Sequence, residues 1–126
     1  MENRYTSIYG GRNQQLREEI EKKILNLLGL ASKSGNIVVG QKSLRNYISS
    51  LQRRKLVVFS SDFGESVAQI MKKCESRNIP YLKLSVGKEE LGKYIGKGTA
   101  SAVGVINETF VDGVLKIVNG FVSGGK

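Results

Sequence analysis

Apolar residues recur along the chain at two distinct periods, and the switches between them mark out the elements. Leu16, Ile20, Ile24, Leu27, Leu28 and Ala31 fall at helical spacing, which predicts a first helix reaching about Lys33. Gly35 stands where a C-terminal cap would stop it. Ile37-Val38-Val39 is a short β-branched run closed by Gly40. A second helix then carries Leu44, Ile48 and Leu51 on one face. Lys55-Leu56-Val57-Val58-Phe59 reads as a buried strand that leaves through Ser60-Ser61-Asp62. Asp62, with Glu65 three residues on, makes an Asp-led version of the capping box. The helix it opens presents Val67, Ile70, Met71 and Cys74. Asn78-Ile79-Pro80 ends that helix, and Tyr81-Leu82-Lys83-Leu84 alternates like a strand with one wet face.

Leu91, Tyr94 and Ile95 mark a short fourth helix. Gly96-Lys97-Gly98-Thr99 leads into the apolar run from Ala102 to Ile106, and a last helix is expected over residues 108–118. Strand and helix alternate four times, so the expected fold is an α/β layered sandwich. Residues 1–12 show no periodicity and are expected to be a flexible tail, residues 13–120 a single domain, and residues 121–126 a C-terminal tail. There is no fixed-period repeat and no interdomain linker.

Composition narrows the chemistry. Among 126 residues there are no histidines, no tryptophans and one cysteine. This excludes a disulfide framework, His-containing or multi-Cys metal sites and every His-dependent catalytic arrangement. A lone cysteine fits a reducing interior, and neither a signal peptide nor a membrane-length apolar run is present. A cytoplasmic protein with no membrane association, no metal and no cofactor is expected. Lys and Arg number 20 against 11 acids, a net charge of +9, which points to an anionic partner.

That charge is unevenly spread. Residues 36–60 hold Lys42, Arg45, Arg53, Arg54 and Lys55 with no acid, and residues 79–100 hold four lysines against Glu89 and Glu90. The two segments carry seven of the nine excess charges. Helix two is also unusual at its start. A helix N-terminus favours acids, and the other helices carry glutamates near theirs, but this one begins Gly40-Gln41-Lys42-Ser43. Two readings fit: an external anion completes the helix start, or the helix is glycine-capped at the surface and its lysine is incidental.

Other candidates carry less. Gly96-Lys97-Gly98-Thr99 has neither the Lys-Ser/Thr pair nor the strand-to-helix setting of a P-loop. Cys74 fits a core position. Asp62 and Asp112, the only aspartates, read as a helix cap and a helix surface residue, so no paired-carboxylate chemistry is available. Tyr47, Tyr81 and Tyr94 read as half-buried core residues rather than base-stacking platforms.

In order, Leu28-Gly29-Leu30-Ala31 through Gly40, Lys55 through Asp62, Cys74-Glu75 with Asn78-Ile79-Pro80-Tyr81, Glu90-Leu91-Gly92 through Gly96, and Ser101 through Val105 resemble a known family. It is the kink-turn RNA-binding family named after the archaeal ribosomal protein L-seven-Ae, and the resemblance covers roughly residues 24–119. It implies a three-layer α/β/α sandwich around a mixed four-stranded sheet and a non-enzymatic, ribosomal-type protein that binds kinked or internal-loop RNA. Ribosomal or other non-coding RNA would be the partner, with ribosomal proteins as further neighbours.

The resemblance also implies an RNA surface. It would comprise Gly40, Gln41, Lys42 and Ser43, Asn46 one turn on, Lys88, and the loop Gly96, Lys97, Gly98, Thr99 and Ala100. Many relatives place Asn-Glu after the glycine and a further base one turn later, where this chain has Lys42-Ser43 and Asn46, although lysine at the first position also occurs in the family. Relatives often have bulky aliphatics in the second loop, where this chain has Lys97-Gly98-Thr99. Shape and phosphate contacts should therefore outweigh base readout. The rivals are an RNA-substrate-binding subunit of a separate modifying enzyme and a protein-interaction module on the ribosome.

Overall fold

The structure, a computed structural model, describes residues 14–124. Residues 1–12 and 125–126, expected to be tail, lie outside the described residues. The elements run α1 (Gln14–Lys33), β1 (Ile37–Val38), α2 (Gln41–Ile48), β2 (Val57–Phe59), α3 (Glu65–Ser76), β3 (Tyr81–Lys83), α4 (Lys88–Tyr94), β4 (Ala102–Val105) and α5 (Glu108–Gly124). The four strands form one sheet in the order β1-β4-β2-β3. β2 and β3 are parallel, while β4 runs antiparallel to both β1 and β2.

Side chains alternate across a strand, and here each face of the sheet meets its own helices. Leu56, Val58, Val103 and Val105 pack with Ile24, Leu28, Leu91 and Val114 from α1, α4 and α5. Val57, Phe59 and Ala102 pack with Leu44, Ile48, Ile70 and Cys74 from α2 and α3. The result is the three-layer α/β/α sandwich with a mixed four-stranded sheet. Burial drives the Cys74 thiol up to about 12, with the Glu75 charge adding to it, so it stays protonated and inert as a core residue. Tyr47 is buried too: its hydroxyl donates to the Val105 carbonyl and accepts the Leu56 N–H at 2.9 Å. The hydroxyl thereby joins α2 to β2 and β4.

Several expectations change. α2 ends at Ile48, and Leu51 is 98% exposed rather than on its buried face. The Ser49 N–H still bonds the Arg45 carbonyl at 3.2 Å, but the Ser50 N–H turns back to the Tyr47 carbonyl at 3.0 Å, a tighter turn that ends the helix. Tyr81 is only 4% exposed, so β3 has no wet face at that end; α3 covers it, and its hydroxyl donates to Glu75. α3 starts from Gly64 with no side-chain cap, so Asp62 and Glu65 form no capping box. α5 runs through residues 119–124, beyond the expected stop at 118. A single Gly120 costs a helix only ~1 kcal/mol. α1 also lacks an acid in its first turn, so α2 is not alone in that respect. No described helix is long and apolar enough to cross a membrane.

Candidate nucleic-acid interface

Strand directions decide which loops meet. Val38 pairs with Gly104 and Phe59 with Ala102. The chain leaving β1 toward Gly40 and the chain entering β4 from Ala100 therefore lie at the same end of adjacent strands. The exits of β2 and β3 are at that end as well. The two segments singled out in the sequence, 40–43 and 96–100, share one edge of the sheet.

Gly40 makes the first of them possible. Its φ of 90° and ψ of 145° belong to a region L-residues rarely enter, yet a Cβ there would meet nothing within 4 Å. The requirement is conformational, not steric. The turn delivers the chain into α2 with no side-chain cap and no acid in the first turn. Gln41, Lys42, Ser43 and Asn46 are all exposed. The unpaired N–H groups of the first turn, Lys42 and two neutral hydrogen-bonding side chains therefore face solvent together.

The second segment is held from behind. The Lys97 N–H donates to the Gly92 carbonyl at 2.8 Å and the Ala100 N–H to the Lys88 carbonyl at 3.0 Å. Gly92 sits directly beneath the loop: a Cβ on it would come within 2.6 Å of Thr99 Cα and 2.8 Å of the Gly98 carbonyl oxygen. Helix α4 is thus a seat for the loop. Gly96, Lys97, Gly98 and Thr99 are exposed, whereas Ala100 is 6% exposed and packs into the core. Its side chain faces inward and cannot belong to a binding surface.

Lys88 opens α4, and its backbone is fixed by a residue the sequence reading assigned elsewhere. Asp62 Oδ1 accepts the Lys88 N–H at 2.8 Å and the Ser60 hydroxyl at 3.0 Å. Asp62 therefore caps α4 across the loop rather than its own helix. Partial desolvation pushes the carboxyl up, but the Ser60 hydroxyl, the Lys88 N–H and the Lys88 charge hold it below its ordinary value. The Ser32 hydroxyl reaches the Ile95 carbonyl at 2.6 Å and secures the other end of α4. Gly92 had a readable signal, an isolated glycine inside a helical pattern, which often marks close packing. Asp62 had none, because its partner lies 26 positions away.

The cations clustered along the sequence separate in space. Arg53, Arg54 and Lys55 precede β2, so they lie at the opposite end of the sheet from Lys42. Arg54 is also engaged there, by Asp112 at 2.8 and 2.9 Å and by Glu108 at 3.1 Å. The concavity beside the 96–100 loop is lined by Lys93 and Lys97 but also by Asp62, Glu89 and Glu90. The exposed lysines of this edge thus include Lys42, Lys88 and Lys97, and Lys93 shares the concavity with Asp62, Glu89 and Glu90. No described cluster of His, Cys, Asp or Glu could hold a metal.

Residues 22–114 match the model of the ribosomal protein L7Ae/L30e/S12e/Gadd45 family. The chain belongs to this family. Among solved structures, the L7Ae-type chain is similar to a protein of unknown function from Bacillus halodurans, at 28% identity and a TM-score of 0.68, covering 77% of this chain and 97% of that one. It also shares its fold with a 15.5 kD RNA-binding protein from Giardia lamblia, at 20% identity and a TM-score of 0.68, covering 98% of both chains. No curated protein matches it significantly.

Proposed function

We propose that this L7Ae-family chain is a non-enzymatic, ribosomal-type protein that binds structured RNA through the edge formed by α2 and the 96–100 loop. The observation that carries the reading is the shared edge itself. An acid-free helix start that only glycine can open lies beside a glycine-rich loop seated on α4. Lys42, Lys88 and Lys97 meet phosphates, while the first-turn N–H groups with Gln41 and Ser43 hold the bent strand. Asn46 adds an amide one turn along, and Gly96, Gly98 and Thr99 let the backbone approach closely. Kinked or internal-loop RNA suits this edge better than a regular duplex, because bulged and splayed nucleotides fit a narrow set of N–H donors between lysines. The family membership and the Giardia protein's RNA-binding description support the same class of partner.

Base readout is weak on this reading. Ser43 offers one hydroxyl, where a longer carboxylate or amide could make a bidentate base contact worth ~1–3 kcal/mol of discrimination. The test is fluorescence anisotropy with a kink-turn RNA carrying tandem G·A pairs, against a differently paired kinked RNA, at several salt concentrations. The two RNAs should bind within about tenfold of each other. The log–log salt slope should be near −3, for about three phosphates at roughly −0.9 each. A slope shallower than about −1, or no binding, overturns the reading.

A further inference from the structure

The edge opposite the 96–100 loop carries a second cationic concavity that the family reading does not use. Because β2 and β3 are parallel neighbours, with Val57 opposite Tyr81, the segments entering both strands lie side by side. The segment before β2 brings Arg53 and Lys55, and the segment before β3 brings Arg77 and Asn78. They border a cavity of about 480 Å³ that Arg54 also lines and whose accessible apolar floor is Pro80 and Leu115, Ile48 and Ile79 beneath being buried; no described carboxylate lines it. The two nearby acids, Glu108 and Asp112, pair with the Arg54 side chain, and Glu108 also accepts the Arg53 backbone N–H at 3.1 Å, which leaves the Arg53 guanidinium without a carboxylate partner among the described residues. Arg53 and Arg77 are exposed and form no ion pair among the described residues. Holding these like charges together across a parallel strand pair costs repulsion that an anion would relieve.

We infer that this cavity is a second RNA site, which takes a single-stranded segment with phosphates on Arg53, Lys55 and Arg77 and one base over the apolar floor. Its volume lies within the ~300–1,000 Å³ usual for ligand pockets. Arginine forks match phosphate oxygens in two-point contacts, and their flat guanidinium faces stack on bases. The Asn78 amide, at the rim, offers a donor and an acceptor to a base edge. An acidic peptide would satisfy the cations but would leave the Pro80 ring, the Leu115 side chain and the Asn78 amide without the apolar-faced, hydrogen-bonding partner that a base provides. A protein with both edges occupied bridges two RNA segments from opposite ends of its sheet.

The probe is fluorescein-labelled decauridine at low salt, with deca-glutamate as competitor. Arg53→Glu/Arg77→Glu should weaken decauridine binding at least tenfold, the scale of losing charge-assisted contacts. Lys22→Glu/Lys72→Glu, exposed on α1 and α3 and part of neither site, should change it by less than about threefold, and Lys42→Glu/Lys97→Glu should weaken it less than the arginine pair does. All these positions are exposed, and Arg53→Gln/Arg77→Gln serves if charge reversal disturbs folding. Titration of the unmodified protein should move the backbone amide resonances of residues 53–55 and 77–79 most. The inference is overturned if decauridine does not bind, if only the Lys42/Lys97 variant loses it, or if deca-glutamate displaces the probe better than unlabelled decauridine. Failure of kink-turn RNA to bind leaves this site standing and counts against the other edge alone.

Discussion

Gly92→Ala tests whether the 96–100 loop owes its position to its seat. The added methyl would lie 2.6 Å from Thr99 Cα and 2.8–2.9 Å from the Gly98 carbonyl group. These are backbone atoms, so no side chain can swing away, and a gap of close to an ångström must open. Leu91 and Ile95 are buried on either side and hold α4 in the core, so the loop moves rather than the helix. Overpacking of this kind costs ~1–3 kcal/mol. Alanine returns up to ~1 kcal/mol of helix propensity relative to glycine. The net expectation is a loss of up to about 2 kcal/mol once the propensity term is subtracted. Affinity for kink-turn RNA should fall further, by about tenfold, if displacement of Lys97 removes one charge-assisted contact. Urea denaturation gives the first quantity and anisotropy the second. Gly120→Ala, where a Cβ meets nothing within 4 Å, is the control and should stabilise α5 by up to ~1 kcal/mol. A Gly92→Ala protein with unchanged stability and unchanged RNA affinity would refute the reasoning.

Further outcomes follow from other positions. Lys42→Glu should abolish most kink-turn affinity while leaving thermal stability intact, whereas Lys116→Glu on α5 should bind nearly as wild type; equal losses would mean general electrostatics and no local site. Gly40→Ala should cost ~1–3 kcal/mol in urea denaturation, because a residue with a Cβ is strained at φ 90°. Tyr47→Phe should cost ~1–3 kcal/mol, since the buried Leu56 N–H loses its acceptor. Against partial desolvation, the Asp62 carboxyl is held below the ordinary aspartate range by the Ser60 hydroxyl, the Lys88 N–H and the Lys88 charge, so its contribution is complete above the ordinary value and disappears as pH falls through the lowered one. Slowed exchange of the Lys88 amide should therefore be lost on acidification below about pH 4 and be absent at all pH values in Asp62→Ala.

The layered fold was legible because apolar period alone separates helices such as α1 and α3 from strands such as β2. Element ends were less so. Leu51 continues the α2 pattern in sequence, but the backbone tightens at Ser50, whose N–H bonds the Tyr47 carbonyl, and turns toward β2 first. The candidate edge was legible in part. Gly40 and Lys42 stand out locally, since helix starts have strong residue preferences. The clustering of charge along the chain misled, because Arg53–Lys55 are close to Lys42 in sequence and a full strand length away in space. Ala100 looked like part of a loop, yet its N–H bond to Lys88 turns its methyl into the core. Asp62 was misassigned because capping rules consider only the following turn, and its partner belongs to another element.

Strand order has a consequence for synthesis. β4, from residues 102–105, lies between β1 and β2 and is the only neighbour β1 has among the described residues. As the chain emerges from its N-terminus, β1 stays unpaired until about four-fifths of the sequence has been made. At ~5–20 residues per second that interval lasts several seconds. Until then β2 has only β3, and the edge that will receive β4 is open to pairing with another chain. Gly40 and the loop it is to face also remain apart throughout this interval. A nascent chain therefore cannot assemble the α2–loop edge early, and RNA engagement there must wait for the last strand to insert.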